Sequence, residues 1–252
     1  MANIIRCKLP DGIHRFKPFT VADYRDFLLV RNDMLSKEIK EQKELVNELA
    51  ADYFSEYPET WQQYIFLNVF TGSIGKTKIP IVYDCPKCGK THKRIFNLEQ
   101  EPLSDPILEI NESTSVHFKF PEVNSENLQE LVLQNIKGVT HDEKFYEWSS
   151  LDEQTKENII DSIDFESFEK LIKNLKPIHF QLKLKCCGNE SKIVYDDLHS
   201  VFNLLINPDE VFSFYEINHI LIKNKYDQQA VMNMIPIERS MALSLIERDN
   251  KK

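Results

Sequence analysis

The spacing of hydrophobic and polar residues predicts a β-hairpin at the start of the chain. An apolar strand leads into the turn sequence Pro10-Asp11-Gly12, in which proline presets φ and glycine accepts a positive φ. A returning strand is predicted over 14–19, and Thr20 is a suitable N-cap for the helix that follows. The chain therefore opens with a short antiparallel pair that leads directly into helical structure.

The next segment is predicted to be helical. From residue 21 to about residue 57, apolar residues recur on one side of a helical pattern, which predicts one long helix or two in sequence. Pro58 interrupts the pattern, and residues 59–70 resume it with many aromatic side chains. We therefore assign residues 1–19 to an N-terminal hairpin and residues 20–72 to a helical segment.

Three segments show the alternating pattern of β-hairpins. Residues 78–98 and residues 179–198 are each predicted as strand, knuckle and strand, with cysteines in the knuckle. Residues 107–120 are predicted as a hairpin without cysteines. We assign 73–122 and 177–197 together to one β module.

Residues 123–176 are predicted to form an acidic helical insertion, since residues 140–176 contain ten acidic and five basic side chains. One buried face is expected for each short helix. The elements predicted here are a helix from Asn124 or Ser125 to about residue 136, a linker at Gly138, and helices at about 152–163 and 165–175.

Residues 198–252 are predicted as a C-terminal helical segment. Pro208 and Pro236 stand where helices are expected to begin, because a proline in the first helical position loses no helical hydrogen bond. The predicted fold class is α+β, a mostly helical body with a small antiparallel β module that carries split zinc-ribbon-like knuckles.

Composition, charge and the absence of motifs argue against several classes of function. The chain of 252 residues has a formal net charge of -9, which argues against broad, sequence-independent binding to DNA or to membrane surfaces. It lacks a glycine-rich phosphate loop, an HExxH or GxSxG motif, and any apolar run of about 18 residues. We therefore expect no membrane span and find no positive indication of an enzyme. No signal peptide is recognisable, so we expect a cytoplasmic protein with reduced thiols.

The cysteines provide the sharpest chemical signal. Cys85 and Cys88, followed by Gly89, have the spacing of a zinc knuckle. A closed structural zinc site needs four ligands, and Cys186 with Cys187 is the candidate second pair. Adjacent residues on a strand point to opposite faces, so both thiols can reach one ion only if the backbone bends there. His92 is then the natural substitute ligand. A redox pair or buried reduced thiols are the alternatives.

The order of these motifs resembles that of the T4-type phage baseplate hub assembly proteins, which comprise a hub subunit and a hub assembly catalyst. The resemblance covers nearly the whole chain and departs from the family at the adjacent cysteines. It is carried by the KLPDG hairpin, the helix start Pro18-Phe19-Thr20-Val21-Ala22-Asp23, the CPKCG knuckle, the second cysteine knuckle, and Met234-Ile235-Pro236-Ile237-Glu238-Arg239.

The resemblance implies a non-enzymatic assembly factor, a chaperone or catalyst, that acts in the host cytoplasm on baseplate hub or tape-measure proteins and does not remain in the mature virion. The cysteines independently predict structural zinc, and the acidic balance argues against a nucleic-acid partner. Whether it forms a homo-oligomer stays open. One alternative is a structural subunit of the hub. The other is a zinc-ribbon nucleic-acid-binding protein, suggested by Lys87, Lys90, Lys93 and Arg94 beside Phe96.

An assembly factor needs a surface for its client, and the C-terminal helices carry a dense apolar set. Methionine-rich faces adapt to several partners. These residues could equally fill the core, and Arg239 could pair internally or with a partner. The candidate partner-binding residues are Phe214, Tyr215, Met234, Pro236 and Arg239.

Overall fold

The computed structural model describes residues 4–85, 87–125 and 127–250 of the chain. It shows helices together with small antiparallel sheets. This confirms the predicted mixture of helical and antiparallel β structure.

The first part of the chain forms a hairpin, three helices and a second hairpin. Its elements are β1 (Ile5–Leu9), β2 (Gly12–Phe16), α1 (Val21–Asp33), α2 (Ile39–Phe54), α3 (Glu59–Ile74), β3 (Lys78–Asp84) and β4 (Thr91–Asn97).

The middle part contains four strands and three short helices. These are β5 (Ile107–Asn111), β6 (Thr114–Phe118), α4 (Leu128–Gln134), β7 (Ile136–His141), β8 (Lys144–Glu147), α5 (Glu153–Asp161) and α6 (Phe165–Asn174). The last part contains β9 (Phe180–Cys186), β10 (Asn189–Tyr195), α7 (Leu198–Leu205), α8 (Glu210–Lys223), α9 (Gln228–Asn233) and α10 (Pro236–Asp249).

The main hydrophobic core surrounds α3, which is buried on nearly all sides and carries apolar residues around most of its circumference. Rings of Phe19, Phe27 and Phe66 lie within 5.2 Å of one another between centroids. The predicted cap at Thr20 is confirmed, because its hydroxyl accepts the backbone N–H of Asp23 at 3.2 Å while the Asp23 carboxylate accepts the N–H of Thr20 at 2.6 Å. This capping box fixes where α1 begins.

A second hydrophobic cluster lies between the four-stranded sheet β5-β6-β7-β8 and helices α4 to α6. β6 pairs with β7 from Phe118 opposite Ile136 to Thr114 opposite His141. The hairpin β5–β6, which the sequence analysis assigned to the β module, therefore shares a sheet with strands of the predicted insertion. The segment boundaries in the sequence analysis otherwise stay a prediction.

The linker predicted at Gly138 is wrong, because this glycine lies inside β7. A Cβ atom there would come within 2.5 Å of the Phe145 ring and 2.3 Å of the Tyr146 carbonyl oxygen. The glycine thus permits the close approach of β8 and is not a point of chain flexibility. The helix predicted from Asn124 or Ser125 begins later, at Leu128, and is capped by the Asn127 side chain.

The C-terminal helices pack against the main body. The backbone N–H of Val21 donates to the Met234 carbonyl at 2.7 Å, and Phe214 belongs to the main core. Gly75 ends α3 in the left-handed region at φ 67°, close to the Ile237 side chain. These contacts connect α8 and α10 to the N-terminal helices.

Candidate metal centre

The first cysteine pair lies in the loop that joins β3 to β4. Asp84 and Thr91 form the last strand pair, and the N–H of Cys85 donates to the Lys90 carbonyl at 3.0 Å. The N–H of Gly89 donates to the Cys85 carbonyl at 2.8 Å, and Gly89 has φ 66°. Glycine adopts this left-handed conformation without steric cost. The loop therefore curls and brings Cys85 and Cys88 to one side.

The second cysteine pair lies at the turn that joins β9 to β10. Cys186 pairs with Asn189, which leaves Cys187 and Gly188 as a two-residue turn with φ 56° and 74°. Positive φ at both positions is the mark of a type I′ turn. This is the bend that the sequence analysis required for adjacent cysteines. It places a non-glycine residue, Cys187, in the left-handed region at a cost of about 1–2 kcal/mol.

The inner faces of these two hairpins hold the loops close together. The Phe96 ring lies 5.4 Å from the Phe180 ring and 5.2 Å from the Tyr195 ring, between centroids. Leu184 is buried on the same side of β9. We call β3–β4 and β9–β10 the cysteine hairpins. The rings pack at the ends of the hairpins farthest from the turns, and the cysteine-bearing ends meet as well.

Four thiols converge where the hairpins meet, and we call Cys85, Cys88, Cys186 and Cys187 the thiol cluster. All four Sγ atoms lie within 4.8 Å of one another. Cys186 Sγ lies 3.6 Å from both Cys88 Sγ and Cys187 Sγ. Tetrahedral zinc with bonds of about 2.3 Å requires sulfurs about 3.8 Å apart. The thiol cluster therefore has the dimensions and the donor set for one zinc ion.

His92 lies beside the thiol cluster. Its Nε2 atom is 3.1 Å from Cys186 Sγ, and its ring stacks on Tyr83 with 5.0 Å between centroids. The mutually close group of potential ligands consists of the four thiols without the imidazole. His92 is thus placed as a hydrogen-bonding neighbour of one sulfur, and its role as a substitute ligand stays a prediction.

Electrostatics within the thiol cluster favour one thiolate over several. Backbone N–H groups of Cys88 and Lys87 lower the pKa of Cys85 to about 7. Hydrogen bonding with the Cys88 thiol raises the pKa of Cys187 to about 12, and burial raises the pKa of Cys186. The neighbouring thiols keep their protons because several thiolate charges next to one another would repel. A divalent cation would remove this repulsion and release protons as it binds.

The fifth cysteine lies apart from this site. Cys7 is 1% exposed in the main core, and burial raises its pKa to about 12. It occupies the position of a small apolar side chain.

The candidate partner-binding residues do not share one environment. Phe214 and Arg239 are 2% and 8% exposed. The Arg239 guanidinium lies 4.7 Å from the centre of the Phe214 ring and donates to Asn218 Oδ1 at 3.1 Å. These two residues therefore join α8 to α10 inside the fold instead of offering a free surface.

The other candidates lie nearer the surface. Met234 packs partly against the main core, and Pro236 is half-buried. Tyr215 is 51% exposed, and Phe212 in the same helix is 77% exposed. Phe212 was not among the residues predicted for the site, since helical periodicity shows that α8 has two faces but does not show how wide the buried face is.

The chain matches two family models. The family model described as T4 bacteriophage base plate protein matches residues 1–203, and the model described as Baseplate hub assembly protein Gp51 C-terminal domain matches residues 205–251. No curated protein and no solved structure matches the chain. Among the described residues, no helix combines the length and the hydrophobicity needed to cross a membrane.

Removal of one thiol tests the metal site. We expect the purified protein to contain one zinc ion per chain, and Cys88→Ser to lose it and to melt at a lower temperature. The physical reason is that metal-binding energy in a structural site is folding energy. Elemental analysis and calorimetry measure both effects. Lys87→Ala, in the same loop, is the matched control and should keep the ion. Wild-type protein without metal after expression in zinc-supplemented medium would contradict the assignment.

The left-handed conformation of Cys187 allows a second, independent test. Cys187→Asn would give the turn an Asn-Gly dipeptide, which type I′ turns prefer. With zinc bound, we expect this variant to be less stable than the wild-type protein. After the zinc is removed by a chelator, we expect its free energy of unfolding to exceed that of wild type by about 1 kcal/mol, because the backbone strain is relieved. Denaturant unfolding measures both differences.

A matched variant separates strain from ligation at this position. Cys187→Ala removes the thiol but keeps the strained backbone, so its stability after chelation should equal that of wild type. An equal effect of Cys187→Asn with and without zinc would mean that Cys187 is not a ligand.

Proposed function

The chain belongs to the T4 bacteriophage base plate protein family, and on this premise we propose that it is a non-enzymatic assembly factor, a chaperone or catalyst, for the hub of the phage tail baseplate. The match of residues 205–251 to a baseplate hub assembly domain carries this proposal. The two matches together span nearly the whole chain, so the hub assembly domain forms part of a single base plate family protein. A role in baseplate hub assembly is thereby established at the level of the family.

The proposal also specifies the client protein and the compartment in which it is bound. The client is a baseplate hub protein or a tape-measure protein, bound in the host cytoplasm and released before the virion is complete. Three exposed apolar side chains within residues 205–251, the segment that matches the hub assembly domain, support a client-binding surface. Phe212, Tyr215 and Ile222 are 77%, 51% and 40% exposed. At about 100° per residue the three lie within one arc of about 80°, with Phe212 opposite the buried Phe214 and Leu221 and the other two on the adjoining flank.

We call Phe212, Tyr215 and Ile222 the α8 outer face. Exposed aromatic side chains are the usual anchors of protein interfaces, because they bury a large area with few rotatable bonds. This face lies within the segment that matches the hub assembly domain. It therefore supports client binding better than Phe214 and Arg239, which are occupied by each other.

The proposed cofactor is one structural zinc ion held by the thiol cluster. When bound, zinc would crosslink two hairpins whose cysteines Cys88 and Cys186 are 98 positions apart in sequence. The protein would thus supply a closed, four-sulfur site without an open position for a substrate. This arrangement supports a stabilising role for the metal and accords with a non-enzymatic function.

Two alternative functions remain for comparison. A structural subunit of the hub would need the same partner-binding surfaces, so only its presence in the mature particle distinguishes it.

The nucleic-acid-binding alternative relied on Phe96 beside a basic loop. Phe96 is 3% exposed and packs between the cysteine hairpins, so it has no free face on which a base could stack.

Quantitative mass spectrometry of infected cells distinguishes assembly factor from subunit. We expect the protein in hub assembly intermediates and not in purified mature particles, because an assembly factor leaves after its client is incorporated. Known hub subunits in the same samples are the internal control. A fixed copy number in mature particles would contradict the proposal and favour the structural subunit.

Substitution of the α8 outer face tests client binding. We expect Phe212→Ser with Tyr215→Ser to reduce completed baseplates in a complementation assay, while stability changes by only about 0.5 kcal/mol because both side chains are exposed. Leu35→Ser with Ile39→Ser is the matched control, since these residues are 61% and 67% exposed elsewhere on the molecule. Equal baseplate yields for both variants would argue against this surface.

A further inference from the structure

Charge is distributed unevenly between two parts of this molecule. The cysteine hairpins, residues 78–97 and 180–195, contain eight Lys and Arg against two acidic residues, a net charge of +6. Residues 107–174, which we call the acidic unit, contain fifteen acidic and six basic residues, a net charge of -9. A protein with a formal net charge of -9 thus carries a strongly cationic region and a strongly anionic one.

The outer side of β9–β10 concentrates positive charge. Lys183 lies directly opposite Lys192 in the strand register, and Lys185 follows on the same side. We call these three residues the lysine face. Lys185 pairs with Glu190 at 3.4 Å. Within the described part of the chain, Lys183 and Lys192 form no ion pair. Like charges placed directly opposite destabilise a sheet, so a partner that neutralises them would be favoured.

Helix α5 of the acidic unit presents the opposite charge. Glu153, Glu157 and Asp161 recur every four residues along one side of the helix, and all are exposed. We call them the acidic stripe. Lys156 neutralises Glu153 at 2.7 Å. Glu157 and Asp161 form no ion pair among residues 4–85, 87–125 and 127–250. The stripe therefore offers two free carboxylates one helical turn apart.

The two surfaces match in spacing and in their apolar neighbours. Directly opposite residues in an antiparallel pair, such as Lys183 and Lys192, have Cβ atoms about 5 Å apart, and residues four apart on a helix are separated by about 6 Å. Val194, on the same side of β10 as Lys192, is 44% exposed, and Ile160 beside the acidic stripe is 37% exposed. Each charged surface thus has an exposed aliphatic residue next to it, as a small interface with an apolar centre requires.

We propose that the lysine face of one copy of this protein binds the acidic stripe of a second copy. The inference concerns self-association and goes beyond the proposed function, because it does not depend on the identity of the client. The two surfaces differ, so the contact is heterologous and propagates head to tail into rings or short filaments. Since the contact is formed by exposed charges, it weakens as salt is added.

A second copy accounts for the lysine face better than nucleic acid does. The described aromatic residues of the cysteine hairpins, Tyr83, Phe96, Phe180 and Tyr195, are buried or half-buried, which leaves no stacking platform for unpaired bases. The exposed apolar residue next to Lys192 on this side is the aliphatic Val194. An anionic surface with an aliphatic residue is present on the same chain, and its charge is complementary.

Sedimentation velocity of the zinc-loaded full-length protein tests the proposal with a charge swap. We expect association in about 25 mM salt and dissociation in about 500 mM salt. Lys183→Glu with Lys192→Glu should weaken association about tenfold or more, and so should Glu157→Lys with Asp161→Lys. An equimolar mixture of the two variants should associate again, because each then offers the surface that its partner lacks.

A matched control separates local charge from net charge. Lys8→Glu with Lys17→Glu changes the net charge by the same amount on the exposed N-terminal hairpin and should leave association unchanged. All variants are checked for zinc content and melting temperature, so that a folding defect is recognised.

Several outcomes would overturn the proposal. A wild-type protein that stays monomeric in low salt, an association that survives the lysine substitutions, or a mixture of the two variants that stays monomeric would each exclude this contact. An equal loss of association in the control variant, Lys8→Glu with Lys17→Glu, would also exclude it. A monomer that binds duplex DNA in a salt-dependent way through Lys183 and Lys192 would assign the face to nucleic acid.

Discussion

The meeting of the two cysteine hairpins is the constraint on which the rest of the structure depends. Cys88 and Cys186 lie 3.6 Å apart between sulfurs although 98 positions separate them in sequence. Closing so long a loop is entropically unfavourable, and packing of Phe96 on Phe180 and Tyr195 offsets that cost. Because both hairpins are held together, the chain between them leaves and returns at nearby points. The acidic unit can therefore form its own sheet and hydrophobic cluster without disturbing the main core.

This arrangement separates the tasks that a baseplate assembly protein combines. The thiol cluster and its hairpins hold the chain together, the N-terminal and C-terminal helices share the main core, and the acidic unit carries a net charge of -9. The proposed client surface lies on α8, and the charged surfaces proposed for self-association lie on β9–β10 and α5. Stability and binding thus depend on different residues, so each can be altered separately.

Much of the secondary structure could be predicted because it depends on neighbouring residues. The Pro10-Asp11-Gly12 turn, the Thr20 cap and both cysteine hairpins are observed where local patterns place them. The strand β7 was missed, since Gly138 suggests a linker until the Phe145 ring that covers it is seen. The internal contact between Arg239 and Phe214 was left undecided for a similar reason, because its partners lie on different helices.

The sequence by itself determined the class of fold, the cysteines of the site and the resemblance to baseplate hub assembly proteins. These properties depend on residue type, on spacing over a few positions and on the order of motifs. Only the tertiary structure decided that adjacent Cys186 and Cys187 face one site, through a left-handed turn residue. It also decided which side of α8 is exposed and that Lys183 lies opposite Lys192. These outcomes depend on strand register and on packing between distant segments, which local patterns do not encode.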